Sequence, residues 1–258
     1  MVQAPQRTAL GGPALVRLLA RLADADVPES SQPLSDRLSQ WLGWTDAIAL
    51  STALNGNPPP AASGARGAAM DDDLAKRCAH VRSALTKAIV GDSASASARR
   101  DGRAPSRGQE APPDARPDFA VFRQRYLSLQ QTMDTEIGTL RTRLRTMLAS
   151  RPHGVARLAM VDAVMERALS AREQSLFAAV PAWLAGHFQR LRQAEDERLA
   201  EAADANADAD ADAEEVPATV TPGAWLDVFR KDMQSVLLAE LEVRFKPVEG
   251  LLAALRTR

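Results

Sequence analysis

The sequence predicts an all-α fold, a helical bundle built around one long antiparallel helical hairpin with low-complexity linkers between its helices. Large apolar residues recur in steps of three and four from Phe119 to Met147, the spacing of one face of a helix. Hydrophobic residues make up 45% of the chain and aromatic residues only 4%, so Leu, Ala, Val and Met must form most of the core. No segment shows the apolar and polar alternation that is typical of strands.

Residues 1–54 are predicted to be an N-terminal helical segment. Leu15, Leu18, Leu19 and Leu22 lie on one stripe of a short helix that begins at Pro13, where a missing N–H costs little. A second helical region follows to residue 54, and Gly43 allows a break inside it. Residues 55–70 contain three consecutive prolines followed by alanines and glycines, which predicts a linker.

Residues 71–90 are predicted to form a further helix, with apolar residues on one face and Gly91 as its stop. Residues 91–117 are rich in Ser, Ala, Pro and Arg and nearly free of large apolar side chains. Such a composition cannot build a core, so we expect a disordered linker there.

Residues 118–200 are predicted to form the long hairpin. A second periodic apolar run from Val155 to Leu191 can return along the first helix. Pro181 lies inside this return run and removes one backbone hydrogen bond, which predicts a kink or a break into two helices. A stutter in the heptad spacing of the first helix argues against a strict parallel coiled coil.

The C-terminal part consists of an acidic linker, residues 201–219, and helices over residues 220–258 that pack on the bundle. Thr221 and Pro222 supply a cap and a first-turn proline. Pro247 is predicted to bend or end the helix that follows, leaving a last short amphipathic helix.

No residue set in the sequence indicates a reaction. Cys78 and His80 would point about 200° apart on a helix, and His153 and His187 have no second ligand at a suitable spacing. Glycine-rich phosphate loops and nucleophile motifs are missing from the sequence. We therefore predict no catalytic, cofactor-binding or metal-binding residue, no cofactor and no enzymatic activity.

Cysteine usage and hydropathy favour a cytoplasmic protein that is not inserted in a membrane. The single Cys78 excludes an intramolecular disulfide and fits a reducing compartment. The longest uncharged helical stretch, residues 175–189, is shorter than the roughly 20 residues that a membrane span needs.

Protein partners are expected to bind through aromatic side chains that the helices leave uncovered. Phe119 and Phe122 are predicted to meet Trp183 and Phe188 at the open end of the hairpin. Core packing of the tryptophans is the competing interpretation, and homo-oligomerisation is left open. The predicted partner-binding residues are Trp41, Trp44, Trp183, Phe188 and Trp225.

Charge separation along the chain supports a second hypothesis, a nucleic-acid-binding helical module. Residues 119–151 contain six arginines and two acids, whereas residues 201–215 contain seven acids and no base. Arg141, Arg143 and Arg145 are the candidate phosphate-binding residues, and the acidic tract 201–215 would modulate them. Few aromatic residues lie among these arginines for base stacking, so the protein-binding hypothesis ranks first.

Three segments resemble a proteobacterial family that is defined only as a domain of unknown function. They are residues 15–22 (LVRLLARL), 38–48 (LSQWLGWTDAI) and 225–233 (WLDVFRKDM). The resemblance implies genes beside those of proteins similar to MotA/ExbB proton channels and to MotB/OmpA peptidoglycan-anchored proteins, in some cases within Zorya-type anti-phage defence clusters. The resemblance transfers no catalytic residue. The long apolar stripe, the linkers and the lack of a reactive site predict a non-enzymatic cytoplasmic adaptor or accessory subunit of a multiprotein assembly.

Overall fold

The computed structural model describes residues 13–25, 32–56, 67–101, 118–208 and 223–256. These ranges contain seven α-helices and no strand, which confirms the predicted all-α class. The helices are α1 (Ala14–Ala23), α2 (Leu34–Trp41), α3 (Trp44–Asn55), α4 (Gly67–Asp101), α5 (Phe119–Ala149), α6 (His153–Asp208) and α7 (Ala224–Arg256). Within the described ranges, none of the helices is both long enough and apolar enough to cross a bilayer.

Local sequence signals account for several helix ends. The side chain of Asp118 caps α5 by accepting a 2.9 Å hydrogen bond from the N–H of Ala120. Pro13 and Pro33 precede α1 and α2. Asp24 ends α1 in the left-handed region at φ 51°, a conformation that Asp tolerates better than most residues. Gly43 separates α2 from α3, so the break that this glycine allows does occur.

Helices α5 and α6 form the predicted antiparallel hairpin, and α7 packs against both of them. The periodic face of α5 is buried from Tyr126 to Leu144, whereas Phe119, Phe122 and Met147 at its ends are half-buried. Leu148 is buried next to Met147. The inner face of α7 is almost completely buried and also contacts α4. The core is therefore a bundle of α4, α5, α6 and α7. The large apolar side chains that α7 buries include Phe229, Val236, Leu237, Leu241, Phe245, Val248, Leu251 and Leu255.

Two helices extend into segments that the composition marked as linkers. Helix α4 begins at Gly67, inside the linker predicted over 55–70, and continues past Gly91 to Asp101. Helix α6 continues to Asp208, eight residues into the predicted acidic linker. Both extensions are rich in alanine, whose helix propensity lets an existing helix grow without a buried face. Residues 57–66, 102–117 and 209–219 of the predicted linkers lie outside the described ranges, and so do Thr221 and Pro222 of the predicted helix start.

Neither internal proline ends its helix. Helix α6 runs through Pro181 and α7 runs through Pro247, so the predicted break into two helices and the predicted helix end do not occur. Apolar side chains are buried on both sides of each proline, including Phe177 and Leu184 around the first and Phe245 and Val248 around the second. Their burial outweighs the loss of one backbone hydrogen bond per proline.

Candidate interaction site

An apolar groove of about 540 Å³ lies between α1, α2 and α6. We call it the α6 groove. Its floor is the stripe of α6 from Leu169 to Trp183, and its walls come from α1 and from the end of α2. The lining residues are Pro13, Leu15, Val16, Leu19, Ala20, Ala25, Trp41, Leu169, Arg172, Glu173, Leu176, Phe177, Ala179, Val180, Trp183 and Val243.

The α6 groove exists because the short helices cover α6 on either side of it. Helix α3 packs against the first part of α6, where Arg167 lies 3.7 Å from Asp46. Helix α1 covers a later part, where Arg190 donates to the carbonyl of Leu22. Between these contacts Leu176 remains 64% exposed and Trp183 remains 51% exposed. Exposed large apolar side chains that share one groove are characteristic of interaction surfaces.

Trp41 and Arg172 close one edge of the α6 groove. The guanidinium carbon of Arg172 lies 4.5 Å from the centroid of the Trp41 ring, a cation–π contact that holds the end of α2 against α6. Trp41 is half-buried by this contact. Glu173 is exposed beside Arg172, so the rim of an otherwise apolar groove carries one charge of each sign.

The five predicted partner-binding aromatics occupy different environments. Trp41 and Trp183 line the α6 groove, and Trp44 is 82% exposed at the start of α3. Phe188 and Trp225 lie instead in an aromatic cluster, where their ring centroids are 4.9 Å apart. Phe188 is buried, so it is not available to a partner in this structure.

Helix α7 covers the aromatic end of the hairpin. Phe119 and Phe122 meet Phe188 as predicted, with centroid distances of 5.5 and 5.8 Å. Phe229 of α7 joins them at 5.0 Å from Phe188. The same prediction placed Trp183 in this cluster, and that part is wrong, because Trp183 projects from α6 into the α6 groove. The open end that the hairpin alone would leave is therefore filled within the chain.

The three candidate phosphate-binding arginines are not equivalent. Arg141 donates to both carboxylate oxygens of Asp162, at 2.9 and 2.7 Å, and its other terminal nitrogen lies 3.3 Å from Glu166. Arg145 pairs with the same two acids on α6. Partial burial, the largest single effect, lowers the pKa of the Arg141 guanidinium, but the hydrogen bond to Asp162 and the charges of the nearby acids together outweigh it, so the pKa is raised. Arg143 alone of the three is exposed.

The described part of the acidic tract, residues 201–208 of α6, begins 39 residues, or roughly 60 Å of helix, beyond Asp162. Residues 209–215 of the tract lie outside the described ranges. The nucleic-acid hypothesis, with modulation by the tract 201–215, stays a prediction.

A buried polar network at the junction of α5, α6 and α7 was not predicted. Glu240 is 0% exposed and accepts hydrogen bonds from Tyr126 (2.6 Å), Gln130 (2.9 and 3.0 Å) and Arg244 (2.8 Å). Burial, followed by the negative charge of Glu240, raises the pKa of the Tyr126 hydroxyl far above its ordinary value. The sequence does carry a signal, since Glu240 falls on the apolar stripe of α7 between Leu237 and Leu241.

A family model described as "Protein of unknown function (DUF3348)" matches residues 1–257. The chain belongs to this family. No curated protein and no solved structure matches the sequence. The predicted resemblance to a domain of unknown function is thereby confirmed at the level of the family. Because this family description names no activity, no residue role passes from it to the site.

His187 has a partner that spacing along the sequence did not reveal. Its Nε2 lies 2.8 Å from a carboxylate oxygen of Asp232 on α7, 45 residues later. No group of three or more His, Cys, Asp or Glu side chains in the described ranges is arranged to hold a metal ion. The pair joins α6 to α7 beside Phe229, whose ring centroid is 6.1 Å from that of His187.

Proposed function

We propose that this DUF3348 protein is a non-enzymatic helical adaptor that binds an amphipathic helix of a partner protein in the α6 groove. One observation carries the proposal, namely the exposed apolar stripe of α6 between α1 and α3. Leu176 and Trp183 lie on this stripe and are more than half exposed. An exposed stripe of this kind loses unfavourable contact with water when a partner covers it.

The dimensions of the α6 groove support a helix as the bound element. From Leu169 to Trp183 the stripe is about 21 Å long, which corresponds to three or four turns of a partner helix. The walls are helices, whose backbone groups are already hydrogen bonded within each helix, so a partner strand would find no sheet edge to extend. Recognition by apolar side chains at helical spacing is the mode that these walls allow.

The rim of the α6 groove gives the partner helix a preferred chemistry. Arg172 is stacked on Trp41 but remains exposed, as does Glu173, so this edge presents one charge of each sign. A partner helix with a basic residue facing Glu173 and an acidic residue facing Arg172 would complement both charges. Such a rim contact contributes more to orientation than to affinity.

The family resemblance supplies candidate partners. We propose that the bound helix belongs to a product of a neighbouring gene, either similar to the MotA/ExbB proton channels or similar to the MotB/OmpA proteins. The assembly would then be an envelope proton-channel system, in some genomes one that acts in anti-phage defence, with this chain on its cytoplasmic side.

Co-purification with the products of the neighbouring genes tests this proposal. We expect one of them to bind the wild-type chain and Leu176→Glu to weaken that binding about tenfold or more, since burying a leucine is worth about 1.5–3 kcal/mol. Val121→Glu is the matched control, because Val121 is 68% exposed on α5, outside the α6 groove. Failure of every neighbouring product to bind, or equal binding by the Leu176→Glu and Val121→Glu variants, would overturn the proposal.

A further inference from the structure

The two ends of the bundle carry charges of opposite sign. At one end α6 extends beyond Glu195, the residue that accepts the N–H of Gly223 at the start of α7. Every side chain from Asp196 to Asp204 is exposed except that of Ala202, which is half-exposed. Exposure on all faces of a helix means that no other described element packs around it. We call residues 196–204 the α6 overhang.

The α6 overhang is acidic and carries one large apolar side chain. Its charged residues are four acids and Arg198, and Leu199 is exposed among them. The acids are Asp196, Glu197, Glu201 and Asp204. A helix end of this composition suits a basic surface with an apolar floor.

Such a surface lies at the other end of the bundle, between α4 and α5. A groove of about 530 Å³ there has an apolar floor of Met70, Leu74 and Met147. Arg77 of α4 and Arg143 of α5 lie along it and are exposed. Thr142 and Thr146 supply hydroxyl groups, and Asp73 is the one acid among the lining residues. We call it the α4–α5 groove.

Arg77 and Arg143 differ from three neighbouring arginines that pair with acids. Arg141, Arg145 and Arg151 each form ion pairs within the chain, with Asp162, Glu166 or Asp71. Within the described ranges, no carboxylate oxygen lies within 4.0 Å of Arg77 or Arg143. The α4–α5 groove therefore presents two guanidinium groups that the fold itself does not neutralise.

The α6 overhang cannot reach the α4–α5 groove of its own chain. Asp162, which pairs with Arg141 and Arg145 near this groove, is separated from the overhang by 34 to 42 residues of continuous helix. At about 1.5 Å per residue, that separation is roughly 50–60 Å. Because the helix is continuous, the two charged surfaces can meet only between molecules.

We propose that the α6 overhang of one copy docks in the α4–α5 groove of a second copy, so that chains associate head to tail. The acids of the overhang pair with Arg77 and Arg143, and Leu199 packs on the methionine and leucine floor. Asp73 opposes the contact and limits its strength. The two surfaces differ, so the contact either closes reciprocally in an antiparallel pair of chains or repeats into rings and open chains.

Sedimentation velocity of the full-length chain tests the proposal. Because the interface is small, association is expected only as the protein concentration rises toward about 1 mM. It should occur in low salt and disappear near 1 M salt, where the Debye length falls to about 3 Å. Monomer at all concentrations in low salt would overturn the proposal.

Charge reversal identifies the two surfaces. Two double variants should each remain monomeric, because the overhang and the groove then carry charges of the same sign. One combines Arg77→Glu with Arg143→Glu, and the other combines Glu201→Lys with Asp204→Lys. Mixing the two variants should restore association, since each overhang then meets a groove of opposite charge. Restoration by mixing cannot arise from misfolding of either variant.

Arg123→Glu is the matched control, an exposed arginine of α5 that lies outside the α4–α5 groove, and it should associate like the wild type. Association that survives either double variant, or fails to return on mixing, would overturn the proposal. A monomer that binds a DNA duplex through Arg77 and Arg143 would overturn it as well and would assign the α4–α5 groove to nucleic acid.

Discussion

The side-chain amide of Gln130 donates a 3.2 Å hydrogen bond to the main-chain carbonyl of Phe177. Phe177 lies four residues before Pro181, so its carbonyl is the acceptor that the missing proline N–H leaves unused in α6. The same amide also contacts both carboxylate oxygens of Glu240 on α7. One glutamine of α5 therefore compensates for a proline in α6 and anchors the buried acid of α7.

Gln130→Leu should destabilise the fold by about 1–3 kcal/mol, because it leaves the Phe177 carbonyl and Glu240 each short of a buried donor. In a Pro181→Ala background the cost should fall by about 1 kcal/mol, since the N–H of an alanine at 181 can bond the carbonyl directly. Urea unfolding of the four proteins in this double-mutant cycle measures the difference. Equal costs in both backgrounds would show that the proline and the glutamine are not coupled.

Tyr126 is the single tyrosine of the chain, so tyrosinate absorption reports this residue alone. Its raised pKa means that the folded protein keeps a proton that the unfolded chain releases above about pH 10. The contribution of the buried, protonated Tyr126 hydroxyl to the free energy of unfolding is therefore fully present below about pH 10 and is lost as the pH rises above that value. We expect tyrosinate absorption to appear only together with alkaline unfolding. Ionisation near pH 10 with the helical circular dichroism intact would contradict the burial of Tyr126.

The ion-pair network between α5 and α6 should contribute measurably to stability. Asp162 is mostly buried and contacts both Arg141 and Arg145. Asp162→Asn should cost about 2 kcal/mol, within the range for hydrogen bonds to charged groups. Asp72→Asn is the control, since the Asp72 and Lys76 side chains are exposed and such pairs are worth at most about 1 kcal/mol. Thermal and urea unfolding compare the two variants, and similar losses would argue against a special role for Asp162.

A substitution at Leu140 tests whether the interface between α5 and α6, the seam of the hairpin, is buried. Leu140 is buried in the face of α5 that packs against α6 and α7. Leu140→Asp should cost about 3 kcal/mol or more, because it buries a carboxylate without a partner. The same change at the exposed Val121 should cost about 0.5 kcal/mol or less. An unchanged melting temperature for Leu140→Asp would mean that the seam is not buried in solution.

Much of the secondary structure could be predicted, because helical periodicity is a local property. The apolar residues of α5 and of the return run recur every three or four positions, so the hairpin followed from spacing alone. Helix ends were less predictable at Gly91 and residue 201, since alanine-rich segments extend a helix without any apolar pattern. The continuity of α6 through Pro181 could not be predicted, because the donor that replaces the proline N–H lies 51 positions earlier in the chain.

The sequence by itself determined that this protein is helical, with one long hairpin and with candidate partner-binding aromatic residues in three separate segments. Only the tertiary structure decided which of those aromatics are exposed. Helix α7 covers Phe188, whereas α1 and α2 stop short of covering Leu176 and Trp183. It also decided which arginines are neutralised, because Asp162 and Glu166 reach Arg141 and Arg145 and leave Arg143 exposed. Apolar periodicity predicts that a helix has an apolar face. Which element covers that face depends on contacts between residues far apart in the chain.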